Sequence, residues 1–181
     1  MKKTLVIMAH PNIEDSLANK AWRDAIKQHE DSVTFHDLYQ TYPDGHIDIT
    51  KEQALVDEHN ALIFQFPMYW FSAPPLLKQW FDEVLEYGWA YGENGTHLQH
   101  KNVALAVSTG VQGHEFSVEG RCGISLENLL MPFELSMRYC QADYRSIFSV
   151  HGINNEPNAT TLTEEEIAES ANNYVDFVLN L

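Results

Sequence analysis

Cysteine is scarce in this chain of 181 residues, which carries only Cys122 and Cys140. Two thiols cannot build the disulfide framework of a small secreted domain, so a reduced cytoplasmic setting is the default. Basic residues are scarce as well. Eleven Lys and Arg stand against 26 Asp and Glu, for a net charge of -15. A chain this acidic lacks the basic surface that phosphate backbones require, which argues against a general nucleic-acid partner. An anionic membrane surface is disfavoured for the same reason, and the acidity reads most simply as solubility. Long apolar runs are missing too, and no segment is long enough to cross a bilayer. Residues 4–9 follow two lysines, but the run is too short for a signal-peptide core and His10-Pro11 breaks it.

Several motifs are also absent. No G-x-G-x-x-G follows the first apolar run, so a dinucleotide site of the Rossmann type has no support, and no G-x-x-x-x-G-K-[ST] occurs. A G-x-S-x-G elbow is missing. His97 and His100, taken with Cys122 and Cys140, lack zinc spacing, so no metal site is expected. Asp44, Asp48, Glu83 and Glu86 are explained as solvated faces.

The composition present is 44% hydrophobic and 12% aromatic. That suits one ordered domain over residues 1–181 with a substantial core. Short apolar runs alternate with helical patterns. Strands are expected at 4–9, 32–38, 61–66, 102–108 and 146–150. Helices are expected at 17–28, capped by Ser16, at 50–59, capped by Thr50, from Pro74 onward, and at 126–138 with a break near Pro132. Thr163 to Glu166 has the character of a capping box and opens the last helix. In the first helix Leu17, Ala21 and Ala25, with Trp22, are placed toward the sheet. Residues 39–48 read as a long turn-rich connection and 154–161 as a polar loop. The βαβ alternation with covered strands predicts an α/β fold, a doubly wound parallel sheet.

In such a sheet, ligands bind at the carboxyl ends of the strands. Three loops lie there. The first runs from His10 to a helix N-terminus, where free N–H groups and the helix dipole favour an anion. Ser16 and Asn19 can add hydrogen bonds, and Ser16 can equally be an ordinary cap. The second, Pro67-Met68-Tyr69-Trp70-Phe71, puts four large side chains between a strand that Pro67 stops and a helix that Pro74 and Pro75 start. These form either an apolar wall against a planar ring or part of the core. The third, Ser108-Thr109-Gly110, lets backbone donors approach a ligand closely, or is a plain strand-end turn. Together the three describe a flavin mononucleotide pocket better than any one of them does.

Ala9-His10-Pro11 with Ser16-Leu17-Ala18-Asn19, Pro67 to Phe71 with Pro74-Pro75-Leu76-Leu77-Lys78, and Gly88-Trp89-Ala90-Tyr91-Gly92 resemble the flavodoxin-like NAD(P)H:quinone oxidoreductases. The nearest branch holds the Kef-type ancillary proteins of glutathione-gated potassium efflux and the general stress protein 14 group. The resemblance implies a five-stranded parallel sheet of order 2-1-3-4-5, a homodimer, and tightly held FMN, with FAD as the alternative. It implies NAD(P)H as reductant and a quinone or similar small acceptor, reduced by ping-pong hydride transfer in a shared pocket. His10 and Ser16, Leu17, Ala18 and Asn19 would hold the phosphate end. Pro67, Met68, Tyr69, Trp70 and Phe71 would wrap the ring. Ser108, Thr109, Gly110 and Val111 would meet its polar edge. Trp89, Tyr91 and Phe116 would line the substrate cleft, the Trp89 loop reaching toward the partner subunit.

Two departures stand out. The family often has Thr-Thr-Gly-Gly where this chain has Ser108-Thr109-Gly110-Val111. Mammalian members carry a tyrosine and a histidine as a proton relay, and the matching positions here are Phe116 and Cys122. Phe116 has no proton to give, so His114 is the candidate acid–base residue, with a plain surface histidine as the other reading. The second function implied by the branch is regulatory. It is a flavoprotein subunit docked on a potassium efflux membrane protein, peripheral to the inner face of the cell membrane. An electron-carrier flavodoxin is a third reading, disfavoured by the two aromatic loops.

Overall fold

The computed structural model describes residues 3–153 and 162–181. The polar loop expected at 154–161 lies outside the described residues. Five parallel strands form one sheet in the order β2-β1-β3-β4-β5. They are β1 (Thr4–Met8), β2 (Val33–Asp37), β3 (Ala61–Pro67), β4 (Asn102–Ser108) and β5 (Asp143–Val150). Every residue of β1 and β3 is buried, as expected of parallel strands covered on both faces. The order is the one the resemblance implies.

Alternation along the strands divides the core in two. Val6, Ile63, Ala104 and Ala106 point to one face. There they meet α1 (Leu17–Ile26) and α7 (Glu164–Leu179). The alanines leave room for large rings, and Trp22 stacks on Tyr174 with centroids 5.0 Å apart. Leu5, Ile7, Leu62, Phe64, Phe66, Leu105 and Val107 point to the other face. That face is covered by α2 (Leu38–Thr41), α3 (Ile49–Asp57), α4 (Pro75–Val84), α5 (Leu126–Leu129) and α6 (Met131–Tyr139). Phe64 packs edge-on against Trp80 at 5.2 Å.

Several boundaries differ from the expectation. The stripe of α1 that reaches the sheet is Ala18, Trp22 and Ile26, while Leu17 is 40% exposed. The Ser16 cap sets the helical phase, and a spacing of four from Ala18 keeps the Trp22 ring at the centre of the face. Helix α3 is capped by Asp48, whose carboxylate accepts from the Lys51 N–H at 3.1 Å, and not by Thr50. An aspartate there satisfies an orphan donor and also meets the dipole. The expected open connection at 39–48 begins with α2, a single turn capped by Asp37. Strand β5 starts three residues earlier than the apolar pattern suggests, because as an edge strand it includes the polar residues Asp143 and Arg145. Pro67 is the last residue of β3 and not its stop; the ladder continues from Met68 N–H to the Ser108 carbonyl at 2.8 Å. Helices α5 and α6 are separate, with Pro132 in the first turn of α6, as the break near that proline predicts.

One buried carboxylate ties the second face together. Glu52 of α3 is fully buried. Its Oε1 accepts from Tyr42 Oη at 2.6 Å and from His36 Nε2 at 2.8 Å, and its Oε2 accepts from Trp80 Nε1 at 2.8 Å. Burial alone would raise its pKa, but the bonds and charge from His36, with the Tyr42 and Trp80 donors, hold it below its ordinary value. A carboxylate with a lowered folded pKa stabilises the fold above the unfolded value of about 4.3 and stops doing so as pH falls through the folded one. Glu52→Ala strands three buried donors and should cost about 3 kcal/mol. Urea unfolding at pH 7 checks this, and Glu52→Gln, which keeps the volume, should cost less.

Candidate functional site

The pairings Met8↔Gln65 and Pro67↔Ser108 bring the carboxyl ends of β1, β3 and β4 level. A cavity of about 300 Å³ opens above them, lined by His10, Asn12, Asp15, Ser16, Pro67, Met68, Tyr69, Ser108, Thr109, Gly110 and Ile153. A second hollow of about 280 Å³ shares Met68, Thr109 and Gly110 with it and adds Trp70, Phe71 and Val111. The two make one elongated cleft, polar at the β1 end and apolar at the other, within the size range of cofactor sites.

The polar end carries donors beside one carboxylate, that of Asp15. The Ser16 Oγ accepts from the Asn19 N–H at 3.2 Å and caps α1. His10 is buried, and its Nδ1 accepts from the Asn12 N–H at 3.1 Å. The ring proton of the neutral form therefore sits on Nε2. Burial lowers the His10 pKa, against the charge of Asp15, which raises it. A neutral ring still donates through Nε2.

The apolar end carries strain. Tyr69 and Ser72 exchange two backbone hydrogen bonds, of 2.9 and 3.0 Å, around Trp70 and Phe71. Both central residues are left-handed, with φ of 47° and 60°. That is the conformation of a two-residue hairpin turn, a position where glycine or asparagine is the usual choice. Two bulky aromatics there cost of order 1–2 kcal/mol each. The result is a Trp70 side chain 94% exposed on the rim of the cleft.

The third loop is braced from β5. Thr109 donates from N–H to the Val150 carbonyl at 2.9 Å, and its carbonyl accepts from the Ile153 N–H at 2.9 Å. The Thr109 hydroxyl donates to the Val111 carbonyl at 2.7 Å. It must therefore accept from His151 Nδ1, 2.9 Å away, and the Ser149 hydroxyl then donates to His151 Nε2 at 3.0 Å. Burial holds His151 below the ordinary histidine value, with the Glu127 charge opposing. Phe116, 8% exposed, lies against its ring at 5.5 Å.

The structure gathers most of the expected residues. His10, Ser16, Pro67, Met68, Tyr69, Ser108, Thr109 and Gly110 line the polar cavity, and Trp70, Phe71 and Val111 line the apolar one. The side chains of three expected residues at the start of α1 do not line the cleft, which leaves the role to their backbone. Leu17 points to solvent, Ala18 packs in the core, and Asn19 is buried behind Ser16. Only the first turn of α1 faces the cleft, so successive residues rotate away from it. His114 takes the surface position that was its other reading. A single turn of 3-10 helix at Gly113–Glu115 carries its side chain outward, 78% exposed and 3.4 Å from Glu115. Trp89 is not offered to a cleft on this chain. It is 9% exposed and stacks on His97 at 5.3 Å, while Tyr91 joins a surface cluster with Tyr87 and Tyr139. Phe116 covers His151 and lines neither hollow. Cys122 is half-buried, and the Cys140 thiol is pushed up to about 11 by burial. Asn12, Asp15, Ile153 and His151 were not anticipated. Extending the strand-end rule to β5 would have found the last two.

A family model for a flavodoxin-like fold matches residues 2–176. The chain belongs to that flavodoxin-like family. It is 43% identical over 176 residues to the NAD(P)H oxidoreductase YrkL of Bacillus subtilis, covering 97% of each chain. It is 42% identical over 139 residues to KefG of Cronobacter sakazakii, an ancillary protein of the glutathione-regulated potassium-efflux system, covering 77% of this chain and 75% of that one. Among solved structures, general stress protein 14 of Treponema denticola in complex with FMN superposes with a TM-score of 0.90 at 47% identity, covering 97% of both chains. An NADPH-quinone reductase from P. pentosaceus gives a TM-score of 0.85 at 28% identity over 99% of both. No helix among the described residues is long and apolar enough to cross a membrane.

His151 and His10 both have folded pKa values below the unfolded value of about 6.5. Near pH 6 the unfolded chain then binds more protons, so stability should fall as pH drops below about 6.5. Chemical unfolding at pH 7.5 and 5.5 should show this. His151→Asn should make the dependence shallower and leave the His10 part in place.

Proposed function

We propose that this chain is a flavin-dependent NAD(P)H oxidoreductase that reduces quinones or similar small acceptors. FMN is the expected cofactor, with FAD as the alternative. The observation that carries the reading is the single cleft at the ends of β1, β3 and β4. It joins an anion-binding helix start, an aromatic turn and a braced amide edge. The FMN complex of the 47% identical stress protein supports the same choice.

The residues fit such a group. Ser16, the first turn of α1 and neutral His10 offer donors to a phosphate. Met68 and Tyr69 offer a platform for a planar ring. Thr109, Gly110 and Val111 present backbone to its polar edge, where preorganised dipoles stabilise negative charge without moving. The φ of Gly110 lies outside the left-handed region, and a Cβ there would meet only the Ile153 carbonyl at 3.5 Å. Glycine is therefore used here to keep the floor flat, and the turn itself does not demand it. When bound, the flavin would supply hydride acceptance from the nicotinamide and hydride delivery to the acceptor, in alternating half-reactions. The exposed Trp70 and Phe71 rim would hold each partner in turn and exclude water.

A second reading rests on the KefG relative. In it the protein is a regulatory subunit on the cytoplasmic face of a potassium efflux system, and redox turnover is secondary. Either way we place the chain in the cytoplasm, attached to the membrane only through such a partner.

The purified protein should be yellow, and the released cofactor should have the mass of FMN. NADH or NADPH should bleach it, and a benzoquinone should restore the colour. A colourless preparation that takes up neither FMN nor FAD on titration would sink the reading.

We also propose a homodimer. The exposed Tyr87 and Tyr139, which flank Tyr91, and an apolar groove between α4 and α6 leave more aromatic surface than a monomer usually shows. Sedimentation at micromolar concentration should give twice the 20.7 kDa chain mass. A monomer with full quinone activity would refute it.

A further inference from the structure

Gln65 is fully buried in the middle of β3, between Phe64 and Phe66. A polar amide there costs free energy unless every group on it is paired. All its bonds lead toward the cleft or anchor it from behind. Its Nε2 donates to the backbone carbonyl of Asn19 at 3.2 Å and to the Asn19 Oδ1 at 3.3 Å. Its Oε1 accepts from the Tyr174 hydroxyl at 2.8 Å. A backbone carbonyl can only accept, so the Gln65 amide has one allowed orientation. That orientation in turn fixes Asn19. With its Oδ1 facing Gln65, the Asn19 Nδ2 must face the serines, and it donates to Ser108 Oγ at 2.7 Å and to Ser16 Oγ at 3.4 Å.

The consequence falls on the two hydroxyls that line the polar cavity. Ser16 Oγ already accepts from the Asn19 N–H and Nδ2, and Ser108 Oγ accepts from Nδ2. Both acceptor sites of Ser16 Oγ and one of the two on Ser108 Oγ are turned inward, which leaves the hydroxyl protons free to point into the cavity. Were the Asn19 amide reversed, its Oδ1 would take those protons and the serines would show lone pairs to the ligand. We propose that Gln65 is a positioning residue that sets the hydrogen-bond polarity of this cavity for an anion, with Tyr174 holding it from α7.

The inference rests on the flavin reading and assigns Gln65 to the phosphate in particular. Its test therefore compares FMN with riboflavin, which has the same ring and no phosphate. Full-length protein stripped of cofactor is titrated with each. The wild type should prefer FMN. Gln65→Met keeps the volume and removes the constraint on Asn19. It should weaken FMN about tenfold, the scale of one hydrogen bond to a charged group, and change riboflavin by less than about twofold. Tyr174→Phe keeps the stacked ring and removes the bond that holds the Gln65 side chain in place against Asn19, so the amide is set in the same sense but less firmly, and the same pattern should appear at roughly threefold. If Gln65→Met does not fold, the Tyr174→Phe ratio decides alone. Equal losses for both ligands, or an unchanged FMN affinity, overturn the proposal while the flavin reading stands. A wild type that binds FMN and riboflavin equally overturns the proposal alone, and one that takes up neither FMN, FAD nor riboflavin overturns the two together.

Discussion

Everything at the site depends on the register of three parallel strands. β1, β3 and β4 are buried on both faces, and a slip of one residue would send every side chain to the opposite layer. The register is therefore set by packing alone. Leu5, Ile7, Phe64, Phe66, Leu105 and Val107 must face the bulky α3–α6 layer, while Val6, Ile63, Ala104 and Ala106 face α1 and α7. Once that is fixed, Met8 lies opposite Gln65 and Pro67 opposite Ser108, and the three loops that follow share one cleft. The site is in this sense a by-product of core packing. Its chemistry comes from what the loops carry.

Glu52 in one layer and Gln65, with its partner Asn19, in the other are fully buried polar groups that the hydrophobic pattern alone would forbid, and Glu52 and Gln65 differ in kind. Glu52 gathers Tyr42, His36 and Trp80 across α3, β2 and α4, and all its partners lie away from the cleft. Its bonds are consumed in holding one layer together. Gln65 lies on the α1–α7 face, and its bonds run from Tyr174 to the serines of the cavity. A neutral amide suits that position, because its two ends differ and it can transmit a direction. A carboxylate presents only acceptors.

The fold was legible because apolar runs, prolines and caps agree at each element. Strand β4 could be read to the residue. The strand order came from the resemblance, carried by motifs in the strand-end loops, the first turns of α1 and α4 and the connection that follows α4. What escaped was mostly phase and local competition. On α1 the expected Trp22 reaches the sheet, with Ala21 and Ala25 packed against the same core, but Leu17 lies outward and Ala18 inward, because the cap at Ser16 decides the rotation. Thr50 was preferred to Asp48 because both are good caps and spacing cannot rank them. The resemblance places the Trp89 loop toward a partner subunit, and local sequence does not show that the ring of His97, eight residues on, stacks on Trp89 within the chain. Gln65 was passed over because one polar residue does not disturb an apolar run, and nothing local says that its partners lie 46 and 109 residues away.

The substitution at Phe116 can now be understood from its surroundings. A tyrosine there would add a hydroxyl beside a histidine that already has both nitrogens engaged, by Thr109 and Ser149. Phenylalanine adds only apolar cover, and that cover desolvates His151 and disfavours its charged form. A neutral His151 has one tautomer compatible with Thr109 donating to the Val111 carbonyl. The loop from Thr109 to Val111 is then held by a chain of bonds that all point one way and carry no net charge. Such a loop stabilises charge in the cleft through fixed dipoles, and it does not reorganise as that charge comes and goes. A protonated histidine in the same place would donate from both nitrogens, so the Ser149 hydroxyl would have to turn and accept, and a charge would stand behind the loop. Keeping His151 neutral thus keeps these bonds aligned and the brace uncharged, and the cover from Phe116 favours it.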